Sequence, residues 1–221
     1  MLFENSKAGS PMVAGLSIHL KYFSSNNNGL ANISESNKYS LFEKCLNRCQ
    51  IQLVNLSNVW IKVLNKAFYL QIFGKFFNLI CKNLSENILK LDDISADDAS
   101  YLNKLMNIIR LGVAKIFWQN AEVGDISTVE SVKNKIDEIE IDKLSISLSK
   151  IDLEASKYIS LWIRFKYLCF ILNAHLVDIV NLWAQSKGPL AEHFTKEEIR
   201  HLIKGLFMVT EKRTAALAEI N

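Results

Sequence analysis

Residues 156–188 read SKYISLWIRFKYLCFILNAHLVDIVNLWAQSKG, and this stretch decides the fold class. From Tyr158 the apolar side chains recur at alternating steps of four and three: Tyr158, Trp162, Phe165, Cys169, Leu172, Leu176, Ile179 and Trp183. That spacing returns them to one seam of an α-helix. Leu161, Leu168 and Leu182 on one flank, and Ile163, Phe170 and Val177 on the other, widen the apolar arc beyond half the circumference. A helix apolar over that much of its surface has to be covered on several sides. Read as one continuous helix it is a central rod roughly 45–50 Å long. Lys187 in the last turn, Gly188 in a left-handed position and Pro189 behind it mark the predicted stop. Arg164, Lys166 and Asp178 interrupt the run, as does His175. Each full charge costs about 3 kcal/mol at the centre of a bilayer, so the stretch reads as a buried bundle helix and not a membrane span.

Working outward, composition agrees. The 221 residues include only 8 Gly and 2 Pro against 12 Phe and 4 Trp, which predicts long helices with few turns. No run of β-branched strands separated by turn signals interrupts them. The net charge of +3 is too small to imply a nucleic-acid partner by itself. It is unevenly spread, however: residues 1–120 carry 13 basic and 8 acidic side chains, residues 121–155 carry 4 and 9, and residues 156–221 carry 9 and 6. The acidic middle is the one compositional break. The predicted organisation is therefore a helical bundle part over 1–120, an acidic connection over 121–155 and a C-terminal helical hairpin over 156–221.

Upstream, Ser10 and Pro11 predict a short helix to about Tyr22 with Val13, Leu16 and Leu20 inward. The run Ser24-Ser25-Asn26-Asn27-Asn28-Gly29 predicts a mobile surface loop over residues 23–39. From Ser40 to Leu91 the apolar pattern is helical almost throughout, with a break expected within residues 63–69. Gly74 costs about 1 kcal/mol inside a helix and is expected where two elements pack closely. The acidic run from Asp92 to Asp98 suggests a calcium loop, but its sixth position lacks Gly and its twelfth is Asn103. Ser95 as N-cap, with Asp97 and Asp98 in the first turn of a helix from Ala96 to about Gln119, explains the same residues. Residues 121–155 read as a helix followed by an extended connection. Thr195 and Glu198 form a capping box that starts a last helix with Ile199, Leu202, Ile203, Leu206 and Phe207 inward. This helix and the rod are expected to form an antiparallel hairpin.

The chemistry-bearing residues do not assemble into a motif. No phosphate loop, H-E-x-x-H or G-x-S-x-G pattern occurs. Cys45 and Cys49 sit one turn apart, yet nothing supplies the other half of a zinc site, so Cys45, Cys49, Cys81 and Cys169 read as core thiols of a reducing compartment. The N-terminus lacks a secretory pattern, which points to an intracellular protein and makes the sequons at Asn32, Asn55 and Asn83 incidental. His193 and His201 flank a helix start without a nucleophile or acid to orient them, and His175 beside the seam reads as a helix residue. The expectation is a non-enzyme with no cofactor, no metal and no small-molecule substrate. The basic side chains Arg200, Lys204, Lys212 and Arg213 offer two uses: an acidic protein partner, or phosphate contacts in a stand-alone α-helical nucleic-acid-binding module. The missing stacking platform disfavours the second.

Three separated segments carry a resemblance. They are LDDISADD at 91–98; WIRFK at 162–166 leading into WAQSKGPLA at 183–191; and IKGLF at 203–207 with TEKRTAALA at 210–218. In this order, ending just before the C-terminus, they resemble the C-terminal part of the Zeste-white 10 family. The resemblance implies an all-α, elongated bundle of the helical-rod type found in multisubunit tethering complexes. It implies a scaffold with two settings: the kinetochore complex with Rough deal and Zwilch that recruits dynein for the mitotic checkpoint, and Golgi-to-ER retrograde vesicle tethering. It further implies docking onto a large α-solenoid subunit, Rough deal or its trafficking counterpart, alongside other tethering-complex subunits. The implied localisation is cytoplasmic, indirectly peripheral at the endoplasmic reticulum, and at kinetochore and spindle in mitosis. The chain is much shorter than the family and lacks its N-terminal region, and residues 121–155 match nothing in it. The partner-binding residues expected on this basis are Arg200, Lys204, Lys212, Arg213, Trp162 and Trp183. Charge reversal at Arg200 and Lys204 is expected to weaken docking without lowering the melting temperature.

Overall fold

A computed structural model describes residues 30–35, 37–118 and 150–220. Among the described residues every regular element is helical: α1 Lys38–Trp60, α2 Lys66–Ile88, α3 Ala96–Trp118, α4 Lys150–Ser156, α5 Trp162–Ile171, α6 Leu176–Trp183, α7 Lys196–Leu206 and α8 Glu211–Glu219. None of these helices is long and apolar enough to cross a membrane. The predicted helix at residues 11–22, and residues 121–149 of the predicted connection, lie outside the described residues.

The centre of the bundle is α3, not the predicted rod. Leu102, Leu105, Met106 and Val113 are fully buried, and α1, α2 and α4 all pack against this helix. Its start follows local chemistry. The Asp98 N–H donates to Ser95 Oγ at 3.1 Å, and Ser95 Oγ donates to Asp98 Oδ2 at 2.8 Å. Asp98 Oδ1 also accepts from the Ser34 N–H at 2.7 Å. Burial works to raise the Asp98 pKa, but the bonds from Ser34 and Ser95 outweigh it and hold the carboxyl below its ordinary value. Ser34 thus fastens a packed turn to the helix: Leu30 and Ile33 are buried, so the described residues 30–35 depart from the mobile loop that the sequence predicts over 23–39.

Helices α1 and α3 run parallel. Tyr39 and Tyr101 have ring centroids 4.6 Å apart at one end, and a Cβ on Gly112 would lie 3.3 Å from Gln50 further along. Helix α2 returns antiparallel, with the Tyr69 hydroxyl hydrogen-bonded to Ser57 near the turn. That turn, residues 61–65, opens two residues before the predicted window. Asn65 caps α2, accepting from the Phe68 N–H at 2.9 Å. Gly74 fulfils its packing role: a Cβ there would sit 2.6 Å from the Tyr158 carbonyl oxygen and 2.7 Å from the Tyr158 Cβ.

The predicted rod is two helices, α5 and α6, and of its residues only Ser156 belongs to α4. Residues 157–161 turn between α4 and α5, and residues 172–175 turn between α5 and α6. The reason lies in distant side chains that satisfy backbone groups at the ends of α5. Asn78 Oδ1 of α2 accepts from the Leu161 N–H at 3.0 Å, and Asn103 Nδ2 of α3 donates to the Cys169 carbonyl at 2.8 Å. With its ends held from outside, a ten-residue helix no longer needs to continue. The all-round apolarity is real for α5, where Trp162, Phe165, Tyr167, Leu168, Cys169 and Ile171 are all buried.

Two further expectations change. Lys150–Ser156 is helical where an extended connection was predicted. It is pinned by a buried ion pair, Lys166 Nζ to Asp152 Oδ2 at 2.5 Å, while Trp162 Nε1 donates to Asp152 Oδ1 at 2.9 Å. The predicted terminal hairpin is also replaced. The helix started by the Thr195 box stops at Leu206, residue 207 is extended, and α8 begins afresh behind Thr210, whose Oγ1 accepts from the Arg213 N–H at 3.2 Å.

Candidate docking surface

The end of the molecule built by α6, α7 and α8 carries most of the residues singled out from sequence. Thr195 and Glu198 cap reciprocally: the Glu198 N–H donates to Thr195 Oγ1 at 3.2 Å, and the Thr195 N–H to Glu198 Oε2 at 2.9 Å. The other Glu198 oxygen accepts from Arg164 Nη2 at 2.7 Å. Burial pushes the Glu198 pKa up, but Arg164 and Thr195 together bring it below its ordinary value. Arg164 also donates to the His193 carbonyl at 2.6 Å and lies 4.7 Å from the Phe194 ring centroid. One guanidinium from α5 therefore fixes both the connection into α7 and its first turn.

The basic residues divide into two kinds. Arg200, on α7, donates to the Leu217 carbonyl and, at 3.1 Å, to the Ile220 carbonyl, closing the end of α8. Arg213, on α8, donates to the Lys204 carbonyl at 3.1 Å and the Phe207 carbonyl at 2.7 Å, closing the end of α7. Each helix supplies the arginine that caps the other, satisfying carbonyls that a helix terminus leaves open. The reciprocal clasp matters because only Ala216 of α8, followed by Ile220, is buried. Lys204 and Lys212 are exposed, and between them Met208 and Val209 are 88% and 80% exposed.

The two tryptophans expected at a partner surface lie inside. Trp162 and Trp183 are 2% and 3% exposed, Trp162 spent on Asp152, and Trp183 buried with its indole N–H unpaired among the described residues. In this conformation they are core residues. Arg200 is likewise engaged within the chain, so the expected insensitivity of the fold to its charge reversal does not follow from this geometry.

His193 and His201 are not joined into a reactive pair: the His193 ring lies 5.4 Å from Tyr167, and burial lowers its pKa, while His201 Nε2 is buried without a partner among the described residues. Burial pushes the Cys49 thiol to about 11 and raises Cys81 and Cys169 as well, away from the thiolate a nucleophile needs.

Comparison with known proteins matches the family described as "ZW10 C-terminal helical domain" over residues 44–220. The chain is 33% identical over 190 residues to the centromere/kinetochore protein zw10 homolog of Rattus norvegicus, covering 86% of this chain and 22% of that protein. It is 27% identical over 177 residues to centromere/kinetochore protein zw10 of Drosophila melanogaster, covering 80% and 20%. The chain thus spans about a fifth of the length of these relatives.

Proposed function

The chain belongs to the ZW10 C-terminal helical domain family, and from that premise we propose that it is a non-catalytic docking module of a larger scaffold. Its settings are the kinetochore complex with Rough deal and Zwilch, which recruits dynein, and the tethering of Golgi-derived vesicles at the endoplasmic reticulum. The kinetochore setting is the one named for its relatives. The partner is the large α-solenoid subunit, and the contact is the exposed end of α7 and α8.

The observation that carries this surface is the connection between α7 and α8. It presents Met208 and Val209 almost fully to solvent between two exposed lysines, on a helix pair held rigid by the arginine clasp. An apolar centre with a charged rim is the anatomy of a protein contact.

The two kinds of basic residue give the test. Replacing Lys204 and Lys212 together by Glu is expected to weaken binding to the solenoid subunit in a calorimetric titration while stability stays within about 0.5 kcal/mol, as for exposed sites without partners. Arg200→Met is expected to lower stability by about 1.5–3 kcal/mol, because it removes a charged donor from two carbonyls. A lysine double variant that binds with unchanged affinity would remove α7 and α8 from the docking surface.

A further inference from the structure

The end of α7 is held from two sides. The Arg213 guanidinium of α8 donates to the Lys204 carbonyl at 3.1 Å, and the Ile94 N–H donates to the next carbonyl, that of Gly205, at 2.9 Å. Successive residues of a helix are turned about 100° around its axis, so the connection between α2 and α3 reaches α7 on a different flank from α8. It comes close because residue 205 is glycine. A Cβ there would lie 3.3 Å from the Asp92 carbonyl oxygen and 3.6 Å from that of Leu91.

The connection is anchored on both sides of its charges. Leu91 and Ile94 are buried, and Asp92 and Asp93 between them are exposed. Two carboxylates on a fixed backbone thus adjoin the helix end from which the chain runs on into the exposed Met208 and Val209. Lys204 and Lys212 are exposed at the same end. None of these four charged side chains forms an ion pair among the described residues, so both signs of charge are left to a partner.

We propose that the docking surface is two-signed and includes the α2–α3 connection: the solenoid partner covers Met208 and Val209, sets acidic side chains against Lys204 and Lys212, and sets basic side chains against Asp92 and Asp93. The proposal rests on the docking function given to α7 and α8 and names the chemistry of the partner there. Met208 and Val209 alone cannot supply the about 800 Å² per partner that a specific protein interface buries. The contact has to continue onto adjoining surface, and the connection adjoins it at a geometry fixed by Ile94 and Gly205. Opposite charges around one apolar centre also fix the orientation of docking, because a partner turned end for end sets like charge against like. A uniformly anionic surface, such as a nucleic-acid backbone, gains at the lysines and is repelled at the aspartates.

The test is calorimetric titration of the full chain with the solenoid subunit. Asp92→Lys with Asp93→Lys is expected to weaken binding about tenfold, with a loss that shrinks as salt is raised and an unchanged thermal melt. The milder Asp92→Asn with Asp93→Asn is expected to weaken it about threefold and keeps the test open should the lysine pair disturb the start of α3. An aspartate pair that binds as the parent does, while Lys204→Glu with Lys212→Glu weakens binding, overturns the two-signed surface and leaves the α7–α8 docking site standing. Tighter binding by the Asp92→Lys and Asp93→Lys variant overturns it too, since the partner is then acidic throughout. Unchanged affinity in both the aspartate and the lysine pairs removes the docking site itself.

Discussion

Asp152→Ala is expected to destabilise the chain by about 3–5 kcal/mol, because it strands a buried ammonium. Lys166 and Asp152 are both more than nine-tenths buried, and they pair at 2.5 Å while Trp162 Nε1 donates to the second carboxylate oxygen. The substitution removes both acceptors at once. For a chain of this size the loss corresponds to a fall in melting temperature of roughly 10 °C. Two controls separate this cause from a plain cavity. Asp152→Leu combined with Lys166→Met replaces the pair by apolar groups and is expected to recover most of the loss, since a well-packed apolar pair is often as stable as a buried ion pair. The pH dependence gives the second. Burial lowers the Lys166 pKa from 10.5, with Asp152 partly restoring it. Without Asp152 the folded-state pKa drops further, so the unfolded chain binds more protons than the folded one over a wider window below 10.5. Stability of the variant therefore rises with pH across that window, and its deficit is expected to narrow between neutral pH and the ordinary lysine value. A deficit that is flat with pH in denaturant titrations would mean that packing, not the stranded charge, is responsible.

The same pair shows what was legible in the chain and what was not. Signals that act within one turn were readable: Ser95 with Asp98 starting α3, Thr195 with Glu198 starting α7, and the apolar row of α3 itself. Signals that cross the fold were not. The breaks that divide residues 156–183 are enforced by Asn78 and Asn103, eighty-three and sixty-six positions away in the chain, and neither break contains Gly or Pro. Periodicity carried straight through them because α5 and α6 are each apolar toward different neighbours, α5 toward α2 and α6 toward α8. At the candidate surface the cations were visible as cations, but not their geometry. Arg200 and Arg213 close helix ends, a role that depends on where the other helix stops. Thr210 was a readable cap, masked by the apolar run from Leu206 to Val209 that imitates a continuing helix.

Gly188→Ala is expected to cost about 3 kcal/mol, at the upper end for overpacking, and the reason differs from the one its sequence context suggests. Gly188 before Pro189 reads as a left-handed helix stop, but no glycine among the described residues has a positive φ. The left-handed residues are Ala184, Gln185 and Ser186, with φ of 44°, 54° and 66°. This turn folds the chain back so tightly that a Cβ on Gly188 would lie 2.0 Å from the Leu182 carbonyl oxygen and 2.8 Å from its carbon. The contact is with backbone, and that oxygen already accepts from the Leu190 N–H at 3.3 Å, so it has little room to retreat. Gly188→Asn tells the two causes apart. Asparagine tolerates the left-handed region, so a left-handed stop would accept it nearly as well as glycine, whereas a backbone clash makes it at least as damaging as alanine. At Ala184, where the backbone strain resides, the sign reverses: Ala184→Gly is expected to gain up to about 1 kcal/mol, the relief of a left-handed side chain less the added freedom of the unfolded chain. Melting curves in which Gly188→Asn matches the parent would restore the helix-stop reading and remove the steric one.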